Sequence, residues 1–180
     1  TTARQTIHLT SNLTDAFNKS EIVSVANPNS VSCAIVNDLF SLIPRAIFSE
    51  SELPTFLDFN VGLKEDTAPY FTEIENKELI VGFGISKENL QIITKQFPQV
   101  QFMHQATVLI QSLSNGLHVN FNDSSSFQIT EIKENKFVFY NQYQFESPEE
   151  GMYYLGLVAE KLGLDLQKER ISISGNVKKE

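Results

Sequence analysis

The sequence has no tryptophan, one cysteine and no basic run beyond the closing Lys178-Lys179 pair. A lone cysteine, Cys33, excludes an internal disulfide and any thiolate metal cluster. Its setting, Val31-Ser32-Cys33-Ala34-Ile35-Val36, is a strand-like run that predicts a buried, inert thiol. The net charge of -8 comes without clustered cations, which argues against nucleic acid or an anionic membrane surface as a partner. The apolar runs, such as residues 79–85, fall far short of the roughly 20 residues that a membrane span requires. His8, His104 and His118 are scattered, so no zinc site can be written. A P-loop, an HExxH motif and a Ser-His-Asp arrangement are all missing, which leaves a nucleophilic enzyme unsupported. No leader or lipidation motif is visible, and the expected location is the cytoplasm.

What is present is a core-forming composition. Fourteen Phe and five Tyr in 180 residues suit half-buried strands and sheet–helix interfaces. A weak helix is expected near residues 11–17, followed by a hairpin of residues 21–26 and 31–36 around the turn Asn27-Pro28-Asn29-Ser30. Phe40-Ser41-Leu42-Ile43-Pro44 is a short apolar run, residues 49–56 offer a capped turn or short helix, and residues 60–70 read as a loop. Residues 78–85 are nearly continuously apolar and predict a strand buried on both faces. Ser86 caps a helix over 87–96, residues 100–103 form a strand, and residues 105–113 form a helix ended by Asn115-Gly116.

The second half alternates apolar and polar residues in three runs, 117–121, 127–132 and 137–145, separated by short polar turns. Ser147-Pro148-Glu149-Glu150 then starts a helix with an N-cap hydroxyl, a proline at N1 and a carboxylate at N3 able to complete a capping box. Gly163 ends it, and Ile171-Ser172-Ile173 supplies a fourth strand after a crossover. Gly82 and Gly84 lack the third glycine of a dinucleotide fingerprint, so close packing in a sheet explains them better. His104, between a strand and a helix, reads as a capping or buried hydrogen-bonding residue.

Three strands, a helix and a strand open each half of the actin-like ATPase fold. The stretches Tyr140-Asn141-Gln142-Tyr143-Gln144-Phe145, Ser147-Pro148-Glu149-Glu150-Gly151-Met152-Tyr153-Tyr154, Gly163-Leu164-Asp165 and Ile171-Ser172-Ile173-Ser174-Gly175 resemble a bacterial domain family of unknown function with that fold. Phe97-Pro98 through His104-Gln105-Ala106-Thr107 resembles the segment that links the two halves there. The chain is similar, more distantly, to actin-like pilus-assembly and cell-division proteins. The resemblance implies an α/β (α+β mixed sheet), ribonuclease H-like fold with a first half at 1–114 and a second at 115–180. Both halves are expected to be incomplete: the first phosphate loop of the family pattern, and the last elements of its closing half, have no counterpart in these residues.

In such ATPases the hairpin opening the second half carries an acid and glycines around the phosphates, with ATP and Mg as cofactors. The matching turn here is Asn122-Asp123-Ser124-Ser125-Ser126, and the strand-end turn against the adenosine corresponds to Ser174-Gly175-Asn176. Asp123, Ser124, Ser125, Ser174 and Gly175 are therefore the candidate nucleotide-binding residues. The missing glycine in the first turn weakens that chemistry, because only glycine lets the backbone approach closely. The expected function is a non-catalytic binding or assembly module with degenerate nucleotide loops and an unknown protein partner. The alternatives are a weak ATP-binding or ATPase-type switch, and a homodimer formed through edge strands or Phe-rich faces.

Overall fold

The computed structural model describes residues 30–176. The expected helix near 11–17, the strand over 21–26, the turn residues 27–29 and His8 lie outside that range.

The elements run β1 (Ser32–Ile35), β2 (Phe40–Pro44), α1 (Leu53–Val61), β3 (Thr67–Ile74), β4 (Leu79–Ser86), α2 (Lys87–Gln96), β5 (Gln101–His104), α3 (Gln105–Ser112), β6 (Gly116–Phe121), β7 (Ser126–Lys133), β8 (Lys136–Gln144), α4 (Pro148–Leu162) and β9 (Ile171–Gly175). They fall into two compact units. The first takes the described residues up to Thr72 together with Ile80–His104, and the second takes Glu73–Leu79 and the chain from Gln105 onward.

In the first unit β1 pairs in parallel with β5, and Cys33 stands opposite Phe102. Among the described residues β1 pairs with β5 alone, and Cys33 is half-buried rather than enclosed, though burial still raises its thiol pKa. A second sheet has the order β2-β4-β3. Its middle strand β4 is buried continuously from Leu79 to Ile85, as an apolar run without alternation requires. Leu53 and Leu57 of α1 close over Ile43 and Ile80 on one side of that sheet. Burying each such side chain contributes about 2 kcal/mol. Gly82 and Gly84 are there for close approach: a Cβ would meet Leu53 Cδ1 at 2.8 Å in the first case and Thr67 Cγ2 at 2.6 Å in the second.

Residues 60–70 depart from expectation. Instead of a loop, α1 continues to Val61 before Gly62 turns it at φ 66°, and β3 begins at Thr67. Pro69 lies within β3. Proline removes a ladder donor, but β3 is an edge strand, where that loss is tolerated.

The second unit contains a four-stranded sheet of order β8-β7-β6-β9. The meander β6–β7–β8 is antiparallel, and β9 returns parallel to β6, with Val119 opposite Ile173. Glu134 and Asn135 turn β7 into β8 with φ of 53° and 61°, the left-handed pair that suits a two-residue hairpin. Ser147 Oγ accepts from Glu150 N–H at 3.2 Å and caps α4. The Glu150 carboxylate accepts from Glu146 N–H at 2.8 Å, one residue upstream of the partner in a standard capping box. The inner face of α4, with Tyr154, Leu155, Val158 and Leu162, packs on Leu117, Val119, Phe127 and Ile129 of the sheet.

Candidate functional site

The five candidate residues all lie at one end of the four-stranded sheet. Phe121, the last residue of β6, pairs with Gly175, the last of β9. Because these strands are parallel, both carboxyl ends open at the same edge, beside the β6–β7 turn that carries Asp123, Ser124 and Ser125. In open α/β sheets that edge is where ligands bind.

The local geometry engages Asp123, Ser125, Ser174 and Gly175. Asp123 Oδ1 accepts from the Ser125 backbone N–H at 2.8 Å and from Ser125 Oγ at 3.0 Å. This is an Asx turn, in which the side chain stabilises its own loop. The Ser125 backbone donor holds the Asp123 carboxyl below its ordinary range. No residue from 122 to 126 adopts positive φ, so the backbone N–H groups do not form the alternating-handed nest that cradles a phosphate. Ser124 is exposed on the turn.

The β9 side is equally committed. Ser174 Oγ donates to Asn120 Oδ1 at 3.0 Å. Gly175, at φ 89°, lies so close to β6 that a Cβ would fall on the Phe121 backbone. Asn176 N–H then donates to the Phe121 carbonyl at 2.9 Å. The glycine is explained by strand pairing.

Reading the sequence alone missed what lies behind this edge. Ser174, Asn120, Gln128 and Gln142 occupy one register row across all four strands. Asn120 Nδ2 donates to Gln128 Oε1 at 2.9 Å, and Gln128 Nε2 donates to Gln105 Oε1 at 3.2 Å. Gln105, at the start of α3, in turn donates to Asn122 Oδ1 at 2.8 Å. A ladder of carboxamides thus ties both candidate turns to α3. Gln128 is fully buried within it. The available signal was three amides, Asn120, Gln128 and Gln142, at matching positions of successive strands.

Neither described histidine joins this edge. His118 Nε2 lies 2.7 Å from the Ser114 carbonyl. His104, in the first unit, is fully buried, stacks on Phe40 at 4.5 Å and lies 3.1 Å from the Asn37 carbonyl through Nε2. Burial lowers its pKa to about 4, so the ring is neutral and is a structural hydrogen-bonding residue. Glu131 is buried with its Oε2 unpaired, and burial, reinforced by Glu169, raises its pKa. Among the described residues no three His, Cys, Asp or Glu side chains gather as metal ligands. No helix there is long and apolar enough to cross a membrane.

Solved structures carry the fold further. The chain is similar to a Bacteroides thetaiotaomicron protein with actin-like ATPase fold and unknown function, at 20% identity and a TM-score of 0.78, over 93% of this chain and 66% of that one. It is also similar to the cytoplasmic domain of EpsL, an inner membrane component of the type II secretion system of Vibrio cholerae, at 15% identity and a TM-score of 0.51, over 92% of this chain and 68% of that one. The chain therefore has an actin-like ATPase fold, and it spans about two thirds of the length of either structure. No curated protein sequence matches it. The family described as protein of unknown function (DUF3822) matches residues 1–180, and the chain belongs to that family.

Proposed function

We propose that this chain is a non-catalytic binding or assembly module on an actin-like scaffold, in which residues 1–114 and 115–180 correspond to the two halves. The observation that carries the reading is the Asp123 turn. Its carboxylate is engaged by Ser125 at 2.8 Å and 3.0 Å, leaving the acid to hold the loop rather than a metal-bound water. A scaffold retained while its loop chemistry is absent points to binding. The partner in this reading is a protein, and the likeness to a secretion-system component is consistent with that. A bacterial, cytoplasmic setting fits the same comparisons.

One observation favours a second reading, a weak ATP-binding switch. Asp123, Ser124, Ser125, Ser174 and Gly175 do share the carboxyl edge of two adjacent parallel strands. Calorimetric titration of Mg-ATP into the protein separates the two. The module reading expects no saturable heat, and saturable binding that Asp123→Ala abolishes would establish the switch instead.

A further inference from the structure

We propose that the outer face of α4 docks a basic amphipathic helix of a partner protein, laid across Gly156 beside Met152 and Tyr153. This gives the binding-module reading a surface and a partner class, and rests on that reading.

At 3.6 residues per turn, Glu149, Met152, Tyr153, Gly156 and Glu160 fall on one stripe of α4. The stripe lies opposite Leu155, Val158 and Leu162, which face the sheet. Met152 is 63% exposed and Tyr153 is 64% exposed. The Tyr153 ring meets Tyr154 edge-on at 5.7 Å, yet most of it and of Met152 stays in water, and Tyr and Met are enriched where proteins meet.

Gly156 supplies an independent observation. A mid-helix glycine is unfavourable relative to alanine and needs a reason. Gly151, in the same helix, has one, since a Cβ there would touch Phe127 at 3.5 Å and Phe145 at 3.7 Å. At Gly156 a Cβ would meet nothing within 4 Å. Among the described residues, nothing in the packing asks for glycine at that point. A bare patch of helix backbone flanked by larger side chains is what allows a second helix to approach closely.

Charge selects the occupant. The stripe carries exposed Glu149 near one end and Glu160 near the other and no cation, on a chain of net charge -8. A second copy laid antiparallel on the same face would bring Glu149 against Glu160 and repel. A partner helix with Lys or Arg flanking a small-residue stripe complements it instead.

The test uses a synthetic amphipathic peptide with an alanine–leucine stripe flanked by lysines, and its counterpart with glutamates in place of the lysines. Titrated into the chain, the lysine peptide is expected to saturate and to shift the NMR signals of Met152, Tyr153 and Gly156. Gly156→Leu should weaken binding by about tenfold or more while leaving the thermal midpoint unchanged or higher. Glu149→Lys combined with Glu160→Lys should transfer the preference to the glutamate peptide. Failure of the lysine peptide to bind, equal binding of both peptides, or binding indifferent to Gly156→Leu overturns the proposal. So does a thermal midpoint lowered by Gly156→Leu, which makes the glycine structural. A dimer in light scattering that Gly156→Leu dissociates would assign the face to a second copy. Mg-ATP binding, measured separately, sinks the module reading without altering the peptide result.

Discussion

The strands β4 and β7 make the most instructive pair in the molecule. Both are interior strands of eight residues, and both bury their first seven. Their compositions differ: Leu79 to Ile85 is continuously apolar, whereas Ser126 to Thr130 alternates polar and apolar positions before a register shift at Glu131 and Ile132. β4 has apolar cover on its buried faces. β7 has the aromatic core under α4 on one face and the carboxamide ladder with α3 on the other. Alternation therefore fixes which residues share a face, but not whether water or a helix covers the polar one. Burying amides is tolerated only because they pair, and pairing ties down the loops at the sheet's edge.

Three experiments probe that contrast. The largest effect is expected at His104, a polar group lodged among the aromatic rings beside β4. Its folded pKa of about 4 lies below the ordinary value of 6.5, so between these two values the unfolded chain takes up a proton that the folded chain does not. Stability should fall as pH drops through that window, by about 3 kcal/mol from this group. Denaturant midpoints from pH 7 to pH 4.5 read it, and His104→Gln should flatten that part of the profile; an unchanged slope would count against a buried neutral ring.

A step smaller is the ladder itself. Gln128→Ala strands the Asn120 amide donor and the Gln105 carbonyl, and should cost about 2 kcal/mol by chemical denaturation. A loss indistinguishable from zero would mean that water or neighbouring groups replace the network, and that the polar face of β7 is not a tight one.

The smallest effect is expected at Glu131, which the ladder does not serve. Its pKa is raised by burial, so its neutral form stabilises the fold below the ordinary carboxyl value, and that contribution is lost as pH rises through the raised one. Glu131→Gln should therefore raise stability at pH 7 by about 1 kcal/mol, with the gain vanishing in acid. A lower thermal midpoint at neutral pH would contradict the description of Glu131 as a buried acid with one carboxylate oxygen unpaired.

The sequence carried much of this architecture. The alternation of 117–121, 127–132 and 137–145, the Ser147 cap and the Gly163 stop place the second unit's elements within a residue or two. β3 is less legible, since it carries Pro69, which a strand accommodates at an edge. At the candidate site the juxtaposition of Asp123 with Ser174 and Gly175 follows from the crossover topology. What the side chains do there does not follow from it, since an Asp-x-Ser turn spells both an Asx turn and an anion loop. Gln105 and Gln128 are 23 residues apart and meet only once α3 is laid on the sheet.

The central claim is that the β6–β7 turn is closed upon its own acid. NMR titration with Mg-ATP, following the backbone amides of Ser124, Ser125 and Gly175, addresses it at the atoms concerned. The account predicts signals that stay in place at millimolar nucleotide. Saturable, magnesium-dependent shifts of those three amides would show that the turn opens to hold phosphate, and would contradict it.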